Sequence, residues 1–176
     1  MRDSRTGGPM LSIASLLLSL TFALAPLTAT AALESPQRHV RTTDRSVRQL
    51  LKRGFTRSST FARLLARLEH SDVIVYVEEV PRLSGGLEGR MMMLPRAHAV
   101  RYVRIQITLR GSPDDSIALL GHELQHAIEI AEHPDVADQA GMVKLYQRIG
   151  VRGGEHVYDT IAAQEMGRAV RKELVV

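Results

Sequence analysis

The chain is expected to fold as an α+β domain. Strand-like sequence is confined to one block, residues 73–110, and amphipathic helical spacing flanks that block on both sides. The block leads directly into Ser112-Pro113-Asp114-Asp115, a strong helix start. It combines a capping hydroxyl, a proline at the first helical position and acids in the first turn. Strands that follow one another so closely tend to pair, so a small meander or mixed sheet is expected.

The first 31 residues read as an address rather than as structure. Arg2 and Arg5 make a positive start, Leu11 to Ala25 is an uncharged apolar run, and Ala29-Thr30-Ala31 is an A-x-A cleavage site. This is the order of a secretory signal peptide. The apolar run, about 15 residues, is short of the ~20 that span a bilayer. Cleavage and export to the periplasm or the exterior are therefore expected, with no stable membrane insertion afterwards. An N-terminal membrane anchor is the alternative. About 145 of the 176 residues then remain, enough for one domain.

Residues 32–44 contain Pro36 and no apolar period, and read as a flexible arm ahead of a single domain over 45–176. Val47, Leu50 and Leu51 have helical spacing until Gly54 interrupts. Ser58 or Ser59 can cap a second helix striped by Phe61, Leu64, Leu65 and Leu68. Val73–Val80 is short and β-branched, hence a strand. Ser84-Gly85-Gly86 is a turn, Met91–Leu94 a second strand closed by Pro95, and residues 99–110 alternate as a third. The helix that begins at Pro113 runs to about Glu132. Another helix is expected over 135–150, a loop at Gly153-Gly154, and a last helix from Glu155 to Leu174.

Composition narrows the chemistry. There is no cysteine, so disulfides, thiolate metal sites and cysteine nucleophiles are excluded. The net charge is +4; this mild excess does not argue for nucleic-acid binding.

Inside the 113–132 helix stands His122-Glu123-Leu124-Gln125-His126, an H-E-x-x-H motif. Histidines four residues apart lie one turn apart on one helix face, so their rings can converge on one Zn²⁺. Glu123 is turned away from that coordination position but can reach a metal-bound water, accept its proton and pass it to a leaving amine. A zinc hydrolase needs a third protein ligand and an open fourth position. His133 is wrongly spaced for H-E-x-x-H-x-x-G-x-x-H, and Glu129 stands where that pattern needs glycine. Glu129 shares the histidine face too far along the axis to ligate, and suits a supporting contact to the histidines. The remaining acids are Glu155, Asp159 and Glu165.

At this point the sequence resembles the gluzincin group of zincin metallopeptidases, in which a second helix supplies an acidic ligand, often within E-x-x-A. Asp159-Thr160-Ile161-Ala162 fits that pattern with Asp in place of Glu. The resemblance spans roughly residues 100–165. It implies a zincin-like fold, with a small sheet, the motif helix packed behind it and a C-terminal helical part closing the cleft. It also implies Asp159 as third ligand, with Glu155 one turn earlier in reserve. An oxyanion donor is then needed, and His156, Tyr158 and Arg152 are the neighbours in sequence. The expected function is that of an exported zinc peptidase acting on a peptide or protein, metal-bound water attacking the carbonyl and Glu123 serving as base. The alternatives are a non-catalytic zinc-binding envelope or secreted protein, or a metal-free helical partner-binding module.

Overall fold

The computed structural model describes residues 39–97, 99–154 and 157–175. The signal-peptide reading of residues 1–31 lies outside them. Five helices and six strands follow in the order β1 (Val40–Arg41), α1 (Arg45–Arg57), α2 (Ser59–Glu69), β2 (Val73–Glu79), β3 (Gly89–Ala97), β4 (Val100–Ile107), α3 (Pro113–Glu132), α4 (Gln139–Ile149), β5 (Val151–Gly154), β6 (Val157–Asp159) and α5 (Ile161–Leu174). The fold is α+β, and the described residues fall in one compact unit.

The main sheet has the order β1-β2-β4-β3. β2 pairs in parallel with β1 and with β4, whereas β3 is an antiparallel edge strand. The sheet is therefore mixed. It also includes a strand missing from the expected set: Val40 pairs with Val75, and His39 donates its backbone N–H to Glu69. Residues 39–44 thus belong to the folded domain and not to a loose arm. Two residues are too short to carry a periodic signal, and β1 is specified by its partner strand.

Alternation decides the core. Val73, Val75, Val77, Val103, Ile105 and Ile107 are buried, while Tyr76, Glu78, Tyr102, Arg104 and Gln106 between them are half-exposed. The buried row packs with Phe61, Leu64, Leu65 and Leu68 of α2 and Ile117, Leu120 and Leu124 of α3. Gly54 does not interrupt α1. A Cβ there would stand 2.8 Å from the Phe61 ring and 3.0 Å from Ile117 Cγ2. The glycine is a contact point between helices.

Two charged groups tie the layers together. Arg101, 1 % exposed, is the largest fully buried side chain. Its Nε and Nη2 donate to the two Asp72 carboxylate oxygens at 2.8 and 2.6 Å. Its Nη1 donates to the carbonyls of Ile130, His133 and Val136 at 2.7, 2.8 and 3.1 Å. The last carbonyls of a helix have no partner within the helix, and the guanidinium fork supplies one while opposing the negative end of the dipole.

At the other side of the domain Glu173, near the end of α5, accepts from Ser58 Oγ, Ser59 Oγ, Thr60 N and Thr60 Oγ1 at 2.7–3.2 Å. Burial opposes the charge, but these bonds together outweigh it and hold the Glu173 carboxyl down at about 2. A depressed carboxyl stabilises the fold fully above its ordinary value near 4.5 and loses that contribution as the pH falls from there through about 2. Glu173→Gln should therefore melt a few degrees below the parent at neutral pH, with the gap closing under acid. Thermal melts between pH 7 and pH 2 check this.

The C-terminal third departs most from expectation. α4 starts at Gln139, where Asp138 caps it by accepting from Gly141 N at 2.8 Å. Where the last helix is expected to have opened, Val157–Asp159 is instead a strand, β6, paired antiparallel with β5. α5 begins only at Ile161, capped by Thr160, whose hydroxyl accepts from Ala163 N. Asp159 thus ends a strand and is not a helical residue.

Candidate metal centre

α3 carries the H-E-x-x-H motif and starts as expected. Asp115 N donates to Ser112 Oγ at 3.1 Å and Ser112 N to Asp115 Oδ2 at 3.3 Å, a reciprocal cap behind Pro113. Its approach to α5 is set by two glycines. A Cβ on Gly121 would stand 2.9 Å from Val170 Cγ2, and one on Gly167 would stand 3.3 Å from both the Ala118 carbonyl and His122 Cβ. With hydrogen alone at both positions the helices close up, and the residue two places before α5 arrives beside the motif.

That residue is Asp159. His122 Nε2 and His126 Nε2 lie 3.2 Å apart, and Asp159 Oδ1 lies 3.3 Å from the first and 3.6 Å from the second. These three residues form a group that could hold a metal ion. The shorter Asp reaches because it leaves from the end of β6 rather than from a helix face. Its carboxylate is oriented from both sides, Oδ1 accepting from Thr160 N at 2.7 Å and Oδ2 from Gln164 Nε2 at 2.9 Å.

A further set of contacts holds the rings. His126 Nδ1 meets Glu129 Oε2 at 2.9 Å, and the other Glu129 oxygen accepts from Thr160 Oγ1 at 2.6 Å. Tyr146 stands edge-on to the His126 ring and donates to the His126 backbone carbonyl at 3.1 Å. Glu129 therefore supports a histidine instead of joining the donor triangle. His133, excluded above by spacing, binds the Glu129 carbonyl through Nδ1 at 2.7 Å and finishes the helix.

The charges are strongly coupled. Burial drags the His126 ring down, but hydrogen bonds to Asp159 and Glu129 outweigh it and lift the ring to about 9. His122 moves the other way, lowered by burial and by the neighbouring His126 charge. Burial opposes ionisation of Asp159, yet the bonds from His126 and Gln164 bring its carboxyl to about 2. The facing imidazole nitrogens can share one proton or one cation between them.

Glu123 is 6 % exposed. Burial raises its carboxyl to about 7, against the pull of His126 and with a push from Asp159. Among the described residues no side chain hydrogen-bonds to it. It lines the same cleft as the three donors, a cavity of about 800 Å³. One wall is the turn before β3 and β3 itself, from Gly86 to Met93; another is α4, through Gln139, Met142, Val143 and Tyr146. Glu123 fits because residue 89 is glycine: a Cβ there would stand 2.1 Å from Glu123 Oε1.

Of the expected site residues, the structure brings together His122, Glu123, His126 and Asp159, with Glu129 behind them. Glu165 is exposed on α5. Glu155 and His156 lie outside the described residues, and Arg152 and Tyr158 are described only as backbone of the β5–β6 hairpin. Sequence reasoning missed Thr160, Gln164, Tyr146, Gly89 and Gln139. Thr160 alone had a local signal, as a capping hydroxyl ahead of Ile161-Ala162-Ala163. The chain matches no protein-family model, no curated protein and no solved structure.

Proposed function

We propose that the chain is an exported zinc-dependent metallopeptidase, with His122, His126 and Asp159 as metal ligands and Glu123 as general base. The spacing of the three donor atoms carries the reading. Separations of 3.2, 3.3 and 3.6 Å fit a tetrahedron whose arms of ~2.1 Å give edges of ~3.4 Å. The set of two imidazoles and one carboxylate is that of a catalytic zinc site, which keeps a fourth position for water or substrate. The carboxylate on His126 Nδ1 is the supporting contact that zinc-binding histidines ordinarily have.

Zinc held there supplies Lewis acidity, activating water and polarising a carbonyl. The protein supplies the rest. The Glu123 carboxylate, near neutral in its proton affinity and unengaged, accepts a proton from the attacking water and returns it to the leaving nitrogen. Glu129, Thr160 and Gln164 keep the donors in one geometry while this happens. β3 offers an extended peptide a sheet edge to lie on. Gly89→Ala is expected to retain the metal but push the Glu123 carboxyl aside, lowering kcat/KM roughly tenfold to a hundredfold; steady-state rates at equal zinc occupancy measure it.

The deciding experiment pairs metal analysis with a broad peptide library. One zinc per chain, with hydrolysis lost to a chelator and restored by zinc, supports the reading. Zinc bound with no cleavage would leave a zinc-binding protein without peptidase activity. Protein purified without chelator and carrying no zinc would overturn the reading altogether.

A further inference from the structure

We infer that the cleft grips its peptide on two residues of the β3 edge, Gly89 and Met91, and that Gln139 and Pro95 close the remainder. The strand is thereby limited to reading a short extended run. This rests on the peptidase reading and names the form of substrate it would take.

The strand register carries the argument. β3 and β4 pair with Gly89 opposite Ile107, Met91 opposite Ile105 and Met93 opposite Val103. One step earlier, Thr108 N donates to the Glu88 carbonyl at 2.8 Å. In an antiparallel ladder, bonded and non-bonded pairs alternate. Residues 88, 90, 92 and 94 therefore turn their backbone groups toward β4, and residues 89, 91 and 93 turn theirs outward, along the edge that borders the cleft. The outward N–H of Met93 is already engaged, donating to Gln139 Oε1 at 2.9 Å. The regular ladder ends after Leu94, where the register shifts before Ala97, and Pro95 in that stretch has no N–H. Among the described residues nothing engages the backbone groups of Gly89 or Met91.

The open part of the edge coincides with the chemistry, since Gly89 lies against Glu123. The closed part lies toward α4. Two outward residues two apart offer two N–H and two C=O groups, enough for alternate residues of a three-residue stretch. Met91, Met93 and Met142 line the same cleft. Flexible thioethers adapt to varied apolar side chains, so specificity here comes from main-chain length more than from one shaped pocket. Gln139 is the residue that sets the limit.

The test uses the zinc-loaded Glu123→Gln protein and capped peptides of alanine around a central Leu-Phe, lengthened stepwise. Amide exchange at Gly89 and Met91 should slow by at least about tenfold on binding, the effect of one hydrogen bond or more, while Met93 stays unchanged. N-methylation should weaken binding by about tenfold at no more than two peptide positions, and affinity should stop rising once three residues lie on the edge. Gln139→Ala should free the Met93 amide and let longer peptides gain. Protection spreading past Met93 in the parent, affinity rising steadily with length, or no slowing at Gly89 and Met91 overturns the inference. Such a failure differs from failure of the peptidase reading, which shows as absence of zinc or of any cleavage by the unmutated chain.

Discussion

Arg101→Met should destabilise the domain by roughly 1–3 kcal/mol, the usual effect of taking a charged donor away from its acceptors, since Arg101 is buried but Asp72 is exposed. The methionine fills the space but abandons Asp72 and the carbonyls of Ile130, His133 and Val136 together. Arg101→Lys should recover little of this. A single ammonium cannot meet a carboxylate in bidentate fashion and three carbonyls at once. Urea unfolding gives the answer: the midpoint should fall with the slope unchanged, and a loss under about 1 kcal/mol would contradict the role assigned to the guanidinium. The same residue anchors the stretch that joins α3 to α4, so the α4 wall of the cleft should loosen in parallel.

Glu123→Gln is expected to bind zinc as the parent does and to lose hydrolysis by roughly 10²–10⁴-fold, the span of a general-base contribution. The amide keeps the shape that nests against Gly89 but cannot take up a proton. Zinc content and kcat are read on the same preparation. Because Glu123 is absent from the donor triangle, loss of zinc in this variant would mean that the ligand assignment is wrong. Retained turnover would mean that the base is another group.

What could be read from the sequence was local. The start of α3 is written in Ser112, Pro113 and Asp115, and the two histidines share a face because of their spacing alone. Glu129 was legible for the same reason, three residues from His126 on the same helix. The placement of Asp159 was not. The glycine-containing stretch 151–159 carries no periodicity that separates a hairpin from the start of a helix, and β1 is too short to carry any. The residues missed at the site are long-range partners. Gly89 matters only because α3 passes behind it, and Gln139 only because α4 folds against the sheet edge. Such needs arise from tertiary contact, and no window of neighbouring residues records them.

α5 is a rod of 14 residues, about 21 Å long at 1.5 Å per residue, and it is riveted at both ends. Thr160 is fastened to Glu129 of α3, and Glu173 to the first turn of α2. Pinning at two points opposes sliding of the strut along its axis, and so helps to hold the carboxylate ahead of it at its distance from the two imidazoles. Releasing the far rivet would let the whole strut slide, and cation affinity would then register a change made some 20 Å away.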